Sequence, residues 1–153
     1  MSAAAIANLT IDQVRAGDEL PVLAHRVTAT TVVLGALASR DWRPMHHDRD
    51  FAINRNGVRD IFINTPNNAA WFERFVTDWT GPRGRLGRMK FRMIEPVFPG
   101  DEMVLSGCVT RTGPPRAICS RKISTQFWLC GWSITQVEIT SSSVRSTVEA
   151  KKP

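Results

Sequence analysis

A chain of 153 residues can bury one hydrophobic core of ordinary size, which predicts a single domain over residues 1–153. Its longest apolar run, Val32 to Ala38, falls far short of a bilayer span, and Met1-Ser2-Ala3-Ala4-Ala5-Ile6 carries no charged leader region, so a soluble, cytoplasmic protein is expected. The net charge of +6 favours an anionic partner, which could be nucleic acid, a membrane surface or a phosphate-bearing small molecule; charge alone does not choose among them.

The turn Ala16-Gly17-Asp18 introduces a first strand, Glu19 to Ala29, in which His25 reads as an ordinary surface or edge residue. Thr30 or Thr31 can cap a short helix running through Ser39. Directly after it comes Ala38-Ser39-Arg40-Asp41-Trp42-Arg43-Pro44-Met45-His46-His47-Asp48, which sets a carboxylate and an imidazole five residues apart. On a continuous helix that spacing leaves the two side chains off one another's face, whereas a turn preset by Pro44 can bring both onto one small volume. Asp41 and His46 are therefore the candidate acid/base pair, able to activate one water held between them. By itself an Asp-x4-His spacing is weak, and a structural loop network is the plainer alternative. His47 points the other way if the loop is extended. Asp48 reads as the N-cap of a helix reaching Asn54, with Gly57 as punctuation after it.

The clearest helix is Thr65 to Trp79, with Thr65 as N-cap, Pro66 at the first helical position and Gly81-Pro82 as the stop. Ala69, Ala70, Phe72, Phe75, Val76 and Trp79 recur at three- and four-residue intervals and make its apolar face, while Glu73, Arg74 and Asp78 take the wet side. Trp71 interrupts the stripe and reads as extra core or interface contact. A strand from about 85 to 95 follows, where Arg88, Lys90 and Arg92 alternate with Met89, Phe91 and Met93; a solvated outer face is its plain reading. Beyond the turn Pro96-Val97-Phe98-Pro99-Gly100-Asp101 a strand runs from Glu102 to about Arg111. Gly131 to Thr140 and Val144 to Ala150, joined by Ser141-Ser142-Ser143, close an antiparallel sheet. Cys108, Cys119 and Cys130 contain no Cys-x-x-Cys, so reduced, partly buried thiols are expected, with no disulfide framework and no metal site. The order of elements argues for an α+β domain, one long helix against a curved antiparallel sheet.

These residues resemble the MaoC-like hot-dog family, which includes (R)-specific enoyl-CoA hydratases. The carrying pattern is Ser-Gly-Asp-x-Asn-Pro-x-His-x-Asp, which stands here as Ser39-Arg40-Asp41-Trp42-Arg43-Pro44-Met45-His46-His47-Asp48. Asp, Pro, His and the second Asp match; the glycine and the asparagine are replaced by arginines. Pro99-Gly100-Asp101 resembles the family's turn after the central helix, and the resemblance covers about residues 15 to 111 and again Gly131 to the end. Runs such as His46-His47-Asp48-Arg49-Asp50, Asp60-Ile61-Phe62 and Val76-Thr77-Asp78-Trp79 are similar to the small subunit of actinobacterial hydratases acting on steroid side-chain enoyl-CoA thioesters, a branch that pairs with a second MaoC-like subunit.

The resemblance implies a hot-dog fold and a hydro-lyase adding water to a trans-2-enoyl-CoA, including a steroid side-chain or other bulky acyl-CoA, to give a (3R)-3-hydroxyacyl-CoA. Asp41 is then the better base, and His46 orients the water and relays the proton. Backbone N–H groups at the start of the central helix, matched by position to Asn64 and Thr65, would meet the enolate-like oxyanion. The family's His-Gly pair is replaced there by Ile63-Asn64. Arg85, Arg88, Lys90 and Arg92 become candidates for the coenzyme A phosphates. No resident cofactor is expected, since coenzyme A is part of the substrate. A homodimer or a heteromer with a second MaoC-like subunit is expected, with no nucleic acid and no membrane as partner. The alternative is a non-catalytic or thioesterase-type acyl-CoA-binding subunit. Residues 112–130 fit no family pattern and lengthen what should be a short hairpin; they read as a cover over the acyl pocket, as a partner-binding insertion anchored by Phe127 and Trp128, or as a divergent stretch.

Overall fold

The computed structural model describes residues 9–82, 84, 86–91, 93, 95–113, 125–129 and 134–140. Among the described residues five strands form one sheet: β1 Glu19–Arg26, β2 Leu86–Lys90, β3 Glu102–Gly113, β4 Thr125–Leu129 and β5 Ile134–Thr140, in the order β1-β3-β5-β4-β2. β3 and β5, β5 and β4, and β4 and β2 pair antiparallel. With the helices α1 Ala29–Ala38, α2 Arg49–Asn56 and α3 Thr65–Thr80, the arrangement is α+β, as expected.

β1 stops at Arg26 because the chain turns into α1 earlier than the sequence suggests. Thr28, at φ −116° and ψ 164°, accepts the amide of Thr31 on its hydroxyl, while the Thr31 hydroxyl accepts the amide of Thr28. The cap is thus Thr28, and Thr31, one of the two expected caps, supplies the return bond of a capping box. α2 follows the expectation closely: the Asp48 carboxylate accepts the Phe51 amide at 3.0 Å, and Gly57 ends the helix in the left-handed region at φ 67°.

α3 begins one residue earlier than expected. Thr65 is its first residue, and the cap is Asn64, whose Oδ1 accepts the Asn67 amide at 3.3 Å. Asn is as good a cap as Thr, so Asn64-Thr65-Pro66 leaves the frame open by one residue. Phe72, Phe75 and Val76 are buried as expected, but Ala70 is exposed and Asn68 takes a place in the buried stripe. The Arg74 guanidinium lies 5.2 Å from the Trp71 ring centroid and pairs with Asp78 on the wet side.

β2 is shorter than the strand expected over 85–95, and its register shifts between Leu86 and Arg88. Residues 112–130 are described in part. β3 runs on to Gly113, and 125–129 is a strand inside the sheet, seated between β5 and β2 with Met89 opposite Phe127 and Arg88 opposite Trp128. Residues 112–113 and 125–129 are therefore strand; 114–124 and 130 lie outside the described residues. β5 takes up Ile134–Thr140 of the expected strand, while Ser141-Ser142-Ser143 and Val144 to Ala150 lie outside the description.

The chain divides into two compact units, one including Ala69–Ile94 and Leu105–Ser141, the other Ala24–Asn68 and Glu95–Val104. In the first, Phe72, Phe75, Val76, Leu105 and Val109 are buried, and Phe72 meets Phe91 edge-on at 5.4 Å. Cys108 there is a free, half-buried thiol; Cys119 and Cys130 lie outside the described residues. In the second unit Val27, Val32, Ala36, Ala52, Ile61, Ile63 and Phe98 are buried. Each larger aliphatic side chain so buried contributes about 1.5–3 kcal/mol, enough to hold the loops that carry the site. No helix among the described residues is long and apolar enough to cross a membrane.

Candidate functional site

The loop after α1 is set by how that helix ends. The Arg40 amide donates to the Leu37 carbonyl and the Asp41 amide to the Ala36 carbonyl at 2.9 Å, the paired bonds of a Schellman motif, which requires its turning residue in the left-handed region. Arg40 occupies that region at φ 54°. This is the position at which the resemblance pattern has glycine, so the backbone conformation is retained while the residue suited to it is not. Asp41 leaves the helix on a fixed hydrogen bond.

Arg43, the residue before Pro44, is extended at φ −64° and ψ 130°, as pre-proline sterics favour. Pro44 opens a 3-10 turn, Pro44–His46, closed by the His46 amide on the Arg43 carbonyl and the His47 amide on the Pro44 carbonyl. The turn returns His46 towards Asp41: His46 Nε2 and Asp41 Oδ2 lie 3.5 Å apart. The expected pairing of the two side chains through a proline turn is what the structure contains.

His46 is only 2 % exposed. Its Nδ1 sits 2.7 Å from the Phe62 carbonyl oxygen, and the Phe62 ring meets the imidazole edge-on at 5.0 Å. A carbonyl can only accept, so Nδ1 carries the proton of the neutral ring and Nε2 is left with its lone pair. Among the described residues this buried Nε2 has no hydrogen-bond partner, and neither has the buried Asn68 Nδ2. Buried polar atoms of this kind call for an explanation, and a site that receives a polar ligand provides one.

Asp41 is held from three sides. Arg43 forks onto it, Nε to Oδ1 and a terminal nitrogen to Oδ2, both at 2.8 Å. Asn64 Nδ2 donates to Asp41 Oδ2 at 3.1 Å and to the Ser39 hydroxyl at 2.7 Å, while that hydroxyl donates to the Gly35 carbonyl. The Arg43 side-chain bonds are the main reason why the Asp41 carboxyl is held far below the usual carboxylate range; burial opposes them, and Asn64, the Arg43 amide and His46 add to them. The same fork raises Arg43. The fork and the Asn64 amide thus favour the ionised form of Asp41.

The structure thus brings Asp41, His46 and Asn64 together, with Thr65 next in chain at the start of α3. The Asn64 and Thr65 amides find no acceptor among the described residues, as free donors at a helix start should. The grip of Arg43 and of the Asn64 side chain on Asp41 was not read from the sequence. Arg43 could have been found from its spacing, since residues i and i+2 of an extended segment share a side. His47 is exposed, and His25 lies with a ring nitrogen 3.4 Å from the Thr31 hydroxyl. Arg85 and Arg92 lie outside the described residues; Arg88 and Lys90 are backbone positions of β2 whose side chains also lie outside the description. Among the described residues no group of three or more His, Cys, Asp or Glu is arranged to hold a metal ion.

The model of the MaoC like domain matches residues 12–122, spanning both the Asp41–His46 loop and the helix that follows. The chain belongs to the MaoC-like family. This MaoC-like chain is 38% identical over 94 residues, 61% of its own length and 72% of the relative's, to a protein of Mycobacterium tuberculosis (strain ATCC 25618 / H37Rv) named 3-oxo-4,17-pregnadiene-20-carboxyl-CoA hydratase beta subunit. It is similar at 30% identity and a TM-score of 0.63 to a chain in the crystal structure of the ChsH1-ChsH2 complex from Mycobacterium tuberculosis, covering 83% of this chain and 98% of that one. The (R)-hydratase from A. caviae involved in PHA biosynthesis matches with a TM-score of 0.61 at 21% identity, over 82% of this chain and 95% of that one, a likeness of fold. The MaoC-like chain therefore has the hot-dog fold, in a family whose members include hydratases.

Proposed function

We propose that the protein is an enoyl-CoA hydratase, adding water to a trans-2-enoyl-CoA with a bulky acyl group to give a (3R)-3-hydroxyacyl-CoA. The observation that carries this is the Asp41–His46 pair, 3.5 Å apart with a bare, buried Nε2, beside the free amides of Asn64 and Thr65. Water between the two side chains is polarised by the carboxylate and the imidazole and attacks C3; charge developing on the thioester oxygen is met by the amides and the positive end of α3. The 38% identity to a steroid-acyl-CoA hydratase subunit supports a steroid side-chain acyl group, and likeness to a chain of a two-component complex supports a heteromer with a second MaoC-like subunit; a cytoplasmic location is part of the same reading. In this reading coenzyme A enters with the substrate, no resident cofactor is used, and Arg85, Arg88, Lys90 and Arg92 serve its phosphates.

The test is hydration of a trans-2-enoyl-CoA by the purified protein, alone and with any MaoC-like subunit that co-purifies. Asp41→Asn and His46→Ala should each lower the rate by at least about 100-fold with circular dichroism unchanged. Free thiol without hydroxyacyl product would point to the thioesterase alternative, and no turnover in either form to a non-catalytic subunit.

A further inference from the structure

We propose that Arg43 is a positioning residue that divides the work of the pair: by occupying both oxygens of Asp41 it withdraws the carboxylate from proton transfer and leaves His46 Nε2 as the proton acceptor. This rests on the hydratase reading above and reverses the roles expected from sequence.

The geometry is specific. A carboxylate that accepts a guanidinium fork on both oxygens, and a further amide from Asn64 on Oδ2, has most of its lone-pair sites committed to charge-assisted and neutral donors. Protonating it would break the fork. His46 is the reverse case: the Phe62 carbonyl fixes the proton on Nδ1, and Nε2 is buried, bare and 3.5 Å from Asp41. The charged or titratable groups that meet Asp41 among the described residues are Arg43 and His46; Asn64 and Ser39 are neutral, and Arg49 of α2 is paired instead with Asp60 at 3.3 Å. Arg43 is itself 61 % exposed, so its role is not that of a packing residue.

In the hydration step the water oxygen forms its bond to C3, the proton of that water passes to Nε2, and the C2=C3 pair moves into the enolate. The same proton then goes from Nε2 to C2, so the product gains one water and the enzyme is unchanged. Asp41 stays ionised throughout, stabilising the transient imidazolium. An asparagine at position 43 could not hold both oxygens in this way.

The test uses Asp labelled with 13C at the side-chain carboxyl in the wild type, Arg43→Asn and Arg43→Lys, in the oligomer that purifies. In the wild type the Asp41 signal should stay flat through the ordinary carboxylate range. In Arg43→Asn it should titrate within that range, and Arg43→Lys, which keeps the charge without the fork, should fall between. In hydration assays log(kcat/KM) should fall towards acid with a slope of about one in the wild type and steepen to about two in Arg43→Asn, with kcat reduced roughly tenfold and KM changed less than about twofold. A wild-type Asp41 signal that titrates at ordinary carboxylate pH, or an Arg43→Asn signal as flat as the wild type's, would overturn the proposal. The NMR arm requires no turnover, so it stands or falls separately from the hydratase reading.

Discussion

Arg40 concentrates a conflict between backbone and side chain at the residue that delivers Asp41. A left-handed conformation costs a non-glycine residue about 1–2 kcal/mol, and Arg40 adopts it at φ 54° to close the Schellman motif. In an ordinary position glycine is less stabilising than alanine by roughly 0.5–1 kcal/mol. Here the order should invert, with Arg40→Gly more stable than Arg40→Ala by about 1 kcal/mol in urea denaturation. Equal midpoints would mean that the loop relaxes when the side chain is cut. At this scale Asp41 and His46 were legible because a proline-preset turn is a local device. The fork of Arg43 was not, because a substitution away from the family's asparagine looks like a departure until the carboxylate it grips is placed in space.

Between elements, α1 and the start of α3 meet at a position that tolerates no side chain. A Cβ on Gly35 would lie 1.9 Å from Asn67 Nδ2 and 3.0 Å from Asn67 Cβ, and Asn67 is tied by a 3.1 Å bond to the Thr31 carbonyl. Alanine is the better helix former by about 1 kcal/mol, yet Gly35→Ala should destabilise by roughly 1–3 kcal/mol because Asn67 must leave its bond. Combining it with Asn67→Ala, which removes the amide but leaves the Asn67 Cβ, should recover part of that loss in a double-mutant cycle. The helices were legible from periodicity and stop signals, and their caps only to within a few residues, since Thr28, Thr31, Asn64 and Thr65 are all capable of the role. β4 was not legible, because its place between β5 and β2 is decided by partners distant in sequence, not by its own pattern.

For the molecule as a whole, the low-lying carboxyl of Asp41 couples the site to acid stability. A carboxyl whose folded value lies below its unfolded one adds stability that is complete above the unfolded value and is lost as pH falls towards the folded one. With Arg43 as the leading cause of the depression, the stability gap between wild type and Arg43→Asn should be constant from neutral pH down to about pH 5 and close below the ordinary carboxylate value of about 3.9. Urea midpoints measured across that range check it; a gap unchanged at the acid end would remove Asp41 from the linkage. The α+β class and the family were legible over the first two thirds of the chain, where motif and helix lie close together. The sheet order was not, since it is a property of pairings that no single segment contains.

The hydrogen bond from the Asp41 amide into the last turn of α1 has one more consequence. Because the carboxylate is hung directly on the helix end, every residue added to or removed from α1 rotates it by about 100° around the helix axis, while His46 stays anchored to Phe62. The length of α1 is therefore as much a determinant of the site as the two side chains themselves.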